Sequence, residues 1–297
     1  MKKVIFDCDS TVGLPKKPMD DALALLYLLG RPDEAEILGI TCTFGNGTAR
    51  EVYRSTSLLL KEIKREDIPL LPGADADENP ISNAARYIAD TVNASPNEIS
   101  IIAIGSLTNL YGAWLIDNTI FEKTKEIVLM GGYTGPVIYH GISLAELNFS
   151  INYKAAACVL NNGRNISILT GGNTLEPSLL PREEFMQNMS QGSDAARYIA
   201  DKCGYRFDDQ HSRYGNAISY CWDGVAAVYL LHPELFDDHS THCCITEHTM
   251  KAGWLAPTEQ AVPCSVCLNL PSVKDCSLYR KEIYSGWLNF KKGTAHI

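Results

Sequence analysis

Residues 4–29, VIFDCDSTVGLPKKPMDDALALLYLL, place four aspartates between two apolar runs. The opening, KKVIFD, predicts a buried strand. The close, MDDALALLYLLG, predicts a helix whose first acids suit the positive helix end and whose last turn stops at Gly30. Asp7 and Asp9 therefore fall where a strand gives out, and Asp20 and Asp21 where a helix begins.

The same alternation runs outward from this stretch. AEILGITCTFG, IPLLPGA, EISIIAIG, KEIVLMGG and ISILTGG read as further strands. Between them TAREVYRSTSLLLKEIK, SNAARYIADTVNAS, LTNLYGAWL and NYKAAACVLNNG read as helices. Strands rich in Ile, Val and Leu, each followed by a helix, imply an α/β fold: a mainly parallel central β-sheet flanked by helices. No compositional border divides residues 1–297, so one domain is expected. Later the pattern loosens. GYRFDDQHSRYGNAISYCW reads as a long loop carrying His211, Tyr214 and Tyr220, DGVAAVYLLHPELF as a helix, HCCITEHTMKAGWLAP as two short strands around a turn, and SLYRKEIYSGWLNFKKG as a terminal helix.

Composition excludes some functions. A formal charge of −9, with no basic stripe, argues against nucleic acid as a partner. No apolar run approaches the roughly 20 residues of a membrane span. MKKVIFDCDS breaks to aspartate too soon for a signal peptide, so a cytoplasmic setting with reduced thiols is expected for the ten cysteines. Cys264 and Cys267, in CSVC, leave a zinc site open as an alternative to cysteines that merely pack.

In sheets of this kind ligands gather beyond the carboxyl ends of the strands. Asn46 follows ITCTFG, Thr108 and Asn109 follow IIAIGS, and Met130 ends EIVLM. Glu146 and Asn148 lie in the loop after that strand, and Asp223 opens the late helix. Four carboxylates from residues 7–21 in one small volume repel each other unless protons or a cation intervene. Oxygen-only donors suit Ca²⁺ or Mg²⁺, and such an ion turns bound water into a nucleophile. Plainer readings stand beside these: a turn at Asn46, helix caps at Thr108 and Asp223, a core methionine at Met130. The residues alone thus reach metal-assisted hydrolysis or phosphoryl transfer. An Asp-nucleophile phosphatase wants a second acidic pair late in the chain, where YCWDG offers one acid.

Six stretches in order resemble the inosine-uridine-preferring nucleoside hydrolase family: the aspartate-rich opening, GITCTFGN, AIGSLTNL, KEIVLMGG, LAELNFSINYKAA and CWDGVAAVYLLHPELF. The resemblance implies hydrolysis of the N-glycosidic bond of ribonucleosides with a bound Ca²⁺, in a homodimer or homotetramer. It implies that Asp7 ligates the ion and serves as general base, with Asp21, Asp223 and the Thr108 carbonyl as further ligands. Asp20, Asn46, Glu146 and Asn148 are implied to hold the ribose, Met130 to lie against it, and Asp9 to orient its neighbours. The alternative is a relative that binds or cleaves another ribosyl compound without turning over common nucleosides.

The substrate side departs from the family pattern. Trp222 stands where a histidine that protonates the leaving base is usual. An indole stacks on a purine but gives up no proton near neutral pH, so a purine preference follows. His140 stands where a sugar-contacting asparagine is usual, and Leu147 replaces a phenylalanine. STVGLPKKPM, between Asp9 and Asp20, is longer than the family's turn and is expected at the pocket rim. Cys8 is expected to face the core, away from its aspartate neighbours.

Overall fold

The computed structural model describes residues 1–75 and 78–293, the Tyr214 side chain excepted. Five strands alternate with helices in the first part: β1 (Lys2–Cys8), β2 (Ala35–Cys42), β3 (Leu70–Pro72), β4 (Ile99–Ala103) and β5 (Glu126–Met130). β1 pairs in parallel with β2 on one side and β4 on the other; β3 follows β2 and β5 follows β4. Beyond β5 come Ile166–Leu169 and Val266–Asn269, also parallel. Ser240–Cys243 and Pro257–Thr258 close that edge antiparallel, giving nine strands. The expected parallel sheet is thus present, with a short antiparallel margin.

The alternation along β1 decides which residues reach which layer. Val4, Phe6 and Cys8 enter one apolar layer, and Ile5 enters the other. Cys8 is buried in that core, and its thiol is raised well above the usual range, first by a hydrogen bond with Cys42 and then by burial. The first layer packs under α1 (Asp20–Leu29), in which every residue from Asp21 to Leu29 is buried. Each leucine so covered contributes about 1.5–3 kcal/mol. α1 crosses the terminal helix Cys276–Asn289 at glycines, since a Cβ on Gly30 would lie 1.9 Å from the Gly286 carbonyl oxygen. Trp287 Nε1 locks the crossing by donating to the Leu23 carbonyl at 2.9 Å. α2 (Ala49–Glu62) starts at a capping box formed by Thr48 and Glu51. α3 (Asn83–Ala94) and α4 (Thr108–Ile116) pack on the opposite layer.

One expectation is corrected. Most of GYRFDDQHSRYGNAISYCW is not loop: a helix of 21 residues runs Asp194–Tyr214, capped by the Ser193 side chain and ended by Gly215 in the left-handed conformation. His211 is exposed on it, and the Tyr214 side chain lies outside the described residues. The two short strands expected in HCCITEHTMKAGWLAP are present: the end of Ser240–Cys243 pairs antiparallel with Pro257–Thr258, and the turn between them includes the helical turn Glu247–Met250. Among the described residues no helix is long and apolar enough to cross a membrane.

Candidate active site

A cleft of about 230 Å³ opens at the carboxyl ends of β1, β4 and β5. Asp20, Asn46, Met130, Glu146, Asn148, Trp222 and Asp223 line it, all seven expected from the sequence. Pro18, Tyr133, Arg206 and Tyr220 join them.

The acids gather below. One carboxylate oxygen each from Asp20, Asp21 and Asp223 lies within 4.8 Å of the others. Among the described residues this is the single group of His, Cys, Asp or Glu placed to hold a metal ion. Cys244 and Cys264 bring their sulfurs to 3.6 Å with no third ligand in range, so the zinc alternative finds no site there. Burial, before any neighbouring charge, pushes Asp20 up to about 6 and both Asp21 and Asp223 well above the carboxylate range. Without a cation such a group keeps protons. Asp21 Oδ2 is buried without a hydrogen-bond partner, and an all-oxygen donor set fits a hard cation such as Ca²⁺.

Asp7 and Asp9 stand at different depths in the structure. Asp7 lies inside the hydrogen-bonded register, opposite Thr41 on β2 and Ala103 on β4. Its Oδ2 accepts from Thr41 Oγ1 at 2.6 Å and from Asn109 Nδ2 at 2.8 Å. Like Asp9 it is not one of the three grouped acids; its Oδ1 is buried without a hydrogen-bond partner, and burial first of all raises it to about 7. Asp9 lies one residue past the strand end and touches the group directly. Its N–H donates to Asp21 Oδ1 at 3.0 Å, and its carboxyl hydrogen-bonds with that of Asp21. The charge of Asp9 also bears on Asp20 and Asp223. Asn46 fixes it, with N–H to Oδ2 at 2.6 Å and Nδ2 to Oδ1 at 3.0 Å. Only glycine fits at position 45, where a Cβ would lie 2.0 Å from Asp9 Oδ2. Burial raises Asp9 to about 6, against those hydrogen bonds.

The residues expected to meet a sugar divide into free and committed groups. Asn148 Nδ2 donates to the carbonyls of Ile104 and Met130, each at 3.0 Å, which leaves its Oδ1 to accept. Met130 Sδ sits 3.3 Å from the same nitrogen, so the methionine is both a cleft wall and a packing partner. Glu146 is a clamp: Oε1 accepts from Phe149 N–H at 2.7 Å and Gly132 N–H at 3.2 Å, and Oε2 from Ser150 N–H at 2.9 Å. Thr108 is buried, with Oγ1 accepting from Asn152 Nδ2 at 2.8 Å. Neither Thr108 nor Asn109 caps α4, whose first turn has no side-chain cap. His140 misses the cleft lining; it turns the Ile138–Ser143 hairpin with positive φ and sets its ring edge-on against Tyr139.

Trp222 stacks on Tyr220, with centroids 4.6 Å apart and planes 4° from parallel. Its Nε1 donates to the Gly171 carbonyl at 3.3 Å. The longer loop after Asp9 contributes Pro18 to the cleft, as a rim. It is tied down by Lys17 Nζ on the Asn46 carbonyl, and by Tyr205 Oη, which accepts from Gly13 N–H at 3.2 Å and donates to the Lys17 carbonyl at 3.1 Å. Arg206 and Tyr205 escape the sequence reading because they sit in the stretch read as loop. The signal that finds them is the cap pair Ser193 and Gly215.

An open α/β sheet whose strand ends hold a buried acid cluster under a polar and aromatic cleft defines a metal-assisted hydrolase. The family model described as inosine-uridine preferring nucleoside hydrolase matches residues 4–271. The inosine-uridine preferring nucleoside hydrolase of Crithidia fasciculata is 27% identical over 267 residues, 79% of this chain and 80% of that protein. Uridine nucleosidase 1 of Arabidopsis thaliana is 26% identical over 264 residues, 79% of this chain and 75% of that one. The solved purine-preferring ribonucleoside hydrolase from Gardnerella vaginalis superposes with a TM-score of 0.83 at 20% identity, covering 98% of this chain and 99% of that one. The chain belongs to the inosine-uridine preferring nucleoside hydrolase family. Its chemistry is hydrolysis of the N-glycosidic bond.

Proposed function

We propose a calcium-dependent hydrolase of ribonucleosides with a preference for purines, releasing free base and ribose. The observation that carries this reading is the buried acid group at the floor of a cleft whose wall is the Tyr220–Trp222 stack. Asp21, Asp223 and Asp9 hold the ion together with the Thr108 carbonyl. Asp20 lines the cleft as well as the acid group, and it accepts from the ribose hydroxyls with Asn148 Oδ1. Glu146 acts by shaping the loop that presents Asn148, Asn46 by aiming Asp9. A calcium ion in this place supplies Lewis-acid polarisation of water. Asp9 is the residue placed to take a proton from a water that attacks C1′. Asp20 stabilises the positive charge that grows on the sugar as the bond to the base breaks, a charge present only in the transition state.

Relatives named above act on either base class, so the aromatic wall is what favours purines here. The Tyr220–Trp222 stack lies in the cleft lining, and a purine gives an aromatic face more area to cover than a pyrimidine does. The reading takes residues 1–297 as one functional unit, supported by a sheet whose strands come from residues 2 to 269. A cytoplasmic setting is supported by ten unpaired cysteines. Assembly as a homodimer or homotetramer is checked by light scattering. The deciding experiment incubates the protein and Ca²⁺ with purine and pyrimidine nucleosides and follows free ribose. Ribose from purine nucleosides first is the expected result. Calcium binding without ribose from any nucleoside would favour the binding-only alternative and end this reading.

A further inference from the structure

When a C–N glycosidic bond breaks, its electron pair stays on a ring nitrogen of the base, and that anion leaves slowly unless its charge is answered. No histidine lines the cleft among the described residues, and Trp222 supplies no proton. The cleft does hold one guanidinium. Arg206 projects from the helix Asp194–Tyr214 and shares the lining with Asp20, Tyr220 and Trp222. Its side chain is 15% exposed, and Nη1 lies 2.7 Å from Asp209 Oδ2 one helical turn away. Asp209 is itself steadied by Arg213 Nε at 3.1 Å. This ion pair fixes the guanidinium through one nitrogen. Nε and Nη2 make no hydrogen bond among the described residues, so a cleft-lining cation keeps donors to spend on a ligand.

Resting on the nucleoside-hydrolase reading, we propose that Arg206 is the catalytic residue for the leaving base. Its unused N–H groups donate to a carbonyl or ring-nitrogen acceptor of the base and hold the negative charge that arrives there. The bookkeeping closes without another reagent. The water oxygen bonds to C1′, its proton passes to Asp9, and the C1′–N pair goes to the base. Arg206 stays protonated throughout, because a guanidinium does not give up its proton in a protein. Solvent protonates the base anion, and Asp9 returns its proton to solvent.

The test compares two substrates that differ in how much help the leaving group needs. Inosine needs it; p-nitrophenyl β-D-ribofuranoside releases a stable phenolate. In Arg206→Gln the ratio of kcat/KM for inosine to that for the nitrophenyl riboside falls by about 30-fold or more. Arg206→Lys, which keeps the charge and loses the planar fork, recovers part of that ratio. An unchanged ratio in both variants, whatever the absolute loss, overturns the proposal and leaves Arg206 a structural partner of Asp209. A wild-type protein that cleaves neither compound overturns the functional reading and this role with it. Unfolding temperatures of both variants separate a folding defect from a catalytic one.

Discussion

Replacing Asp223 by Asn should move stability in opposite directions with and without calcium. Oxygens of Asp20, Asp21 and Asp223 come within 4.8 Å of each other. Two full charges that close cost about 3 kcal/mol at an effective dielectric near 20. The metal-free fold escapes the cost by keeping protons. Asp9 and Asp20 are pushed up to about 6 and Asp7 to about 7, from an ordinary value of 3.8. A carboxyl raised on folding stabilises the fold fully below its ordinary value, and that stability is lost as pH rises through the folded value. Metal-free wild type should therefore melt lower at about pH 8 than at about pH 5, and Asp223→Asn, with one acid fewer, should melt at or above wild type at about pH 8. Calcium at about 100 times its Kd should raise wild type by about 2.7 kcal/mol, or roughly 4 °C. The variant has lost an anionic ligand and should gain about 2 °C or less at the same concentration. The assay is thermal unfolding with chelator or Ca²⁺ at both pH values. Equal calcium shifts in the two proteins, or a metal-free wild type that gains stability with rising pH, would refute the reasoning.

Other substitutions separate the remaining roles. Asp9→Asn should lower kcat for ribose release by about 10²–10⁴-fold with a calcium shift smaller than wild type. Asp7→Asn keeps one oxygen that can accept from both Thr41 and Asn109, so it should change the unfolding temperature little and retain more activity than Asp9→Asn; the reverse ranking of activity would return the base role to Asp7. Glu146→Gln sets an NH₂ group among three backbone donors and should cost about 2 kcal/mol or more, read as a lower unfolding temperature. Trp222→Ala should lower kcat/KM for inosine by roughly 3–10-fold more than for uridine, and an equal loss on both would remove the stacking argument.

Most of the acid group and the first strand and helix are legible in residues 4–29, because strand and helix periods place charges as surely as they place leucines. What strand parity does not settle is depth. Asp7 and Asp9 share a face by the two-residue repeat, yet only one stands beyond the last ladder bond. β1 ends at Cys8, so Asp7 is flanked by Thr41 and Ala103 within the sheet while Asp9 emerges into the crevice. Ligands in such folds sit past the strand ends, and the residue past the end is the one that touches the acid group. A resemblance that counts aspartates in order gives no help with this choice; the position of the last paired residue does. The helix Asp194–Tyr214 was missed for a related reason. Its buried face is made by small and aromatic residues such as Ala196, Ile199, Cys203 and Phe207 rather than by a run of leucines. Gly204 and the charges around it resemble a loop until the caps at Ser193 and Gly215 are read together. That helix carries the one cleft residue, Arg206, that charge and position single out for the departing base. Asp9, Asp20 and Asp21 come from one local stretch, whereas Asp223 and the cleft lining at Arg206, Tyr220 and Trp222 come from 170 residues or more along the chain, which is why that part was harder to read.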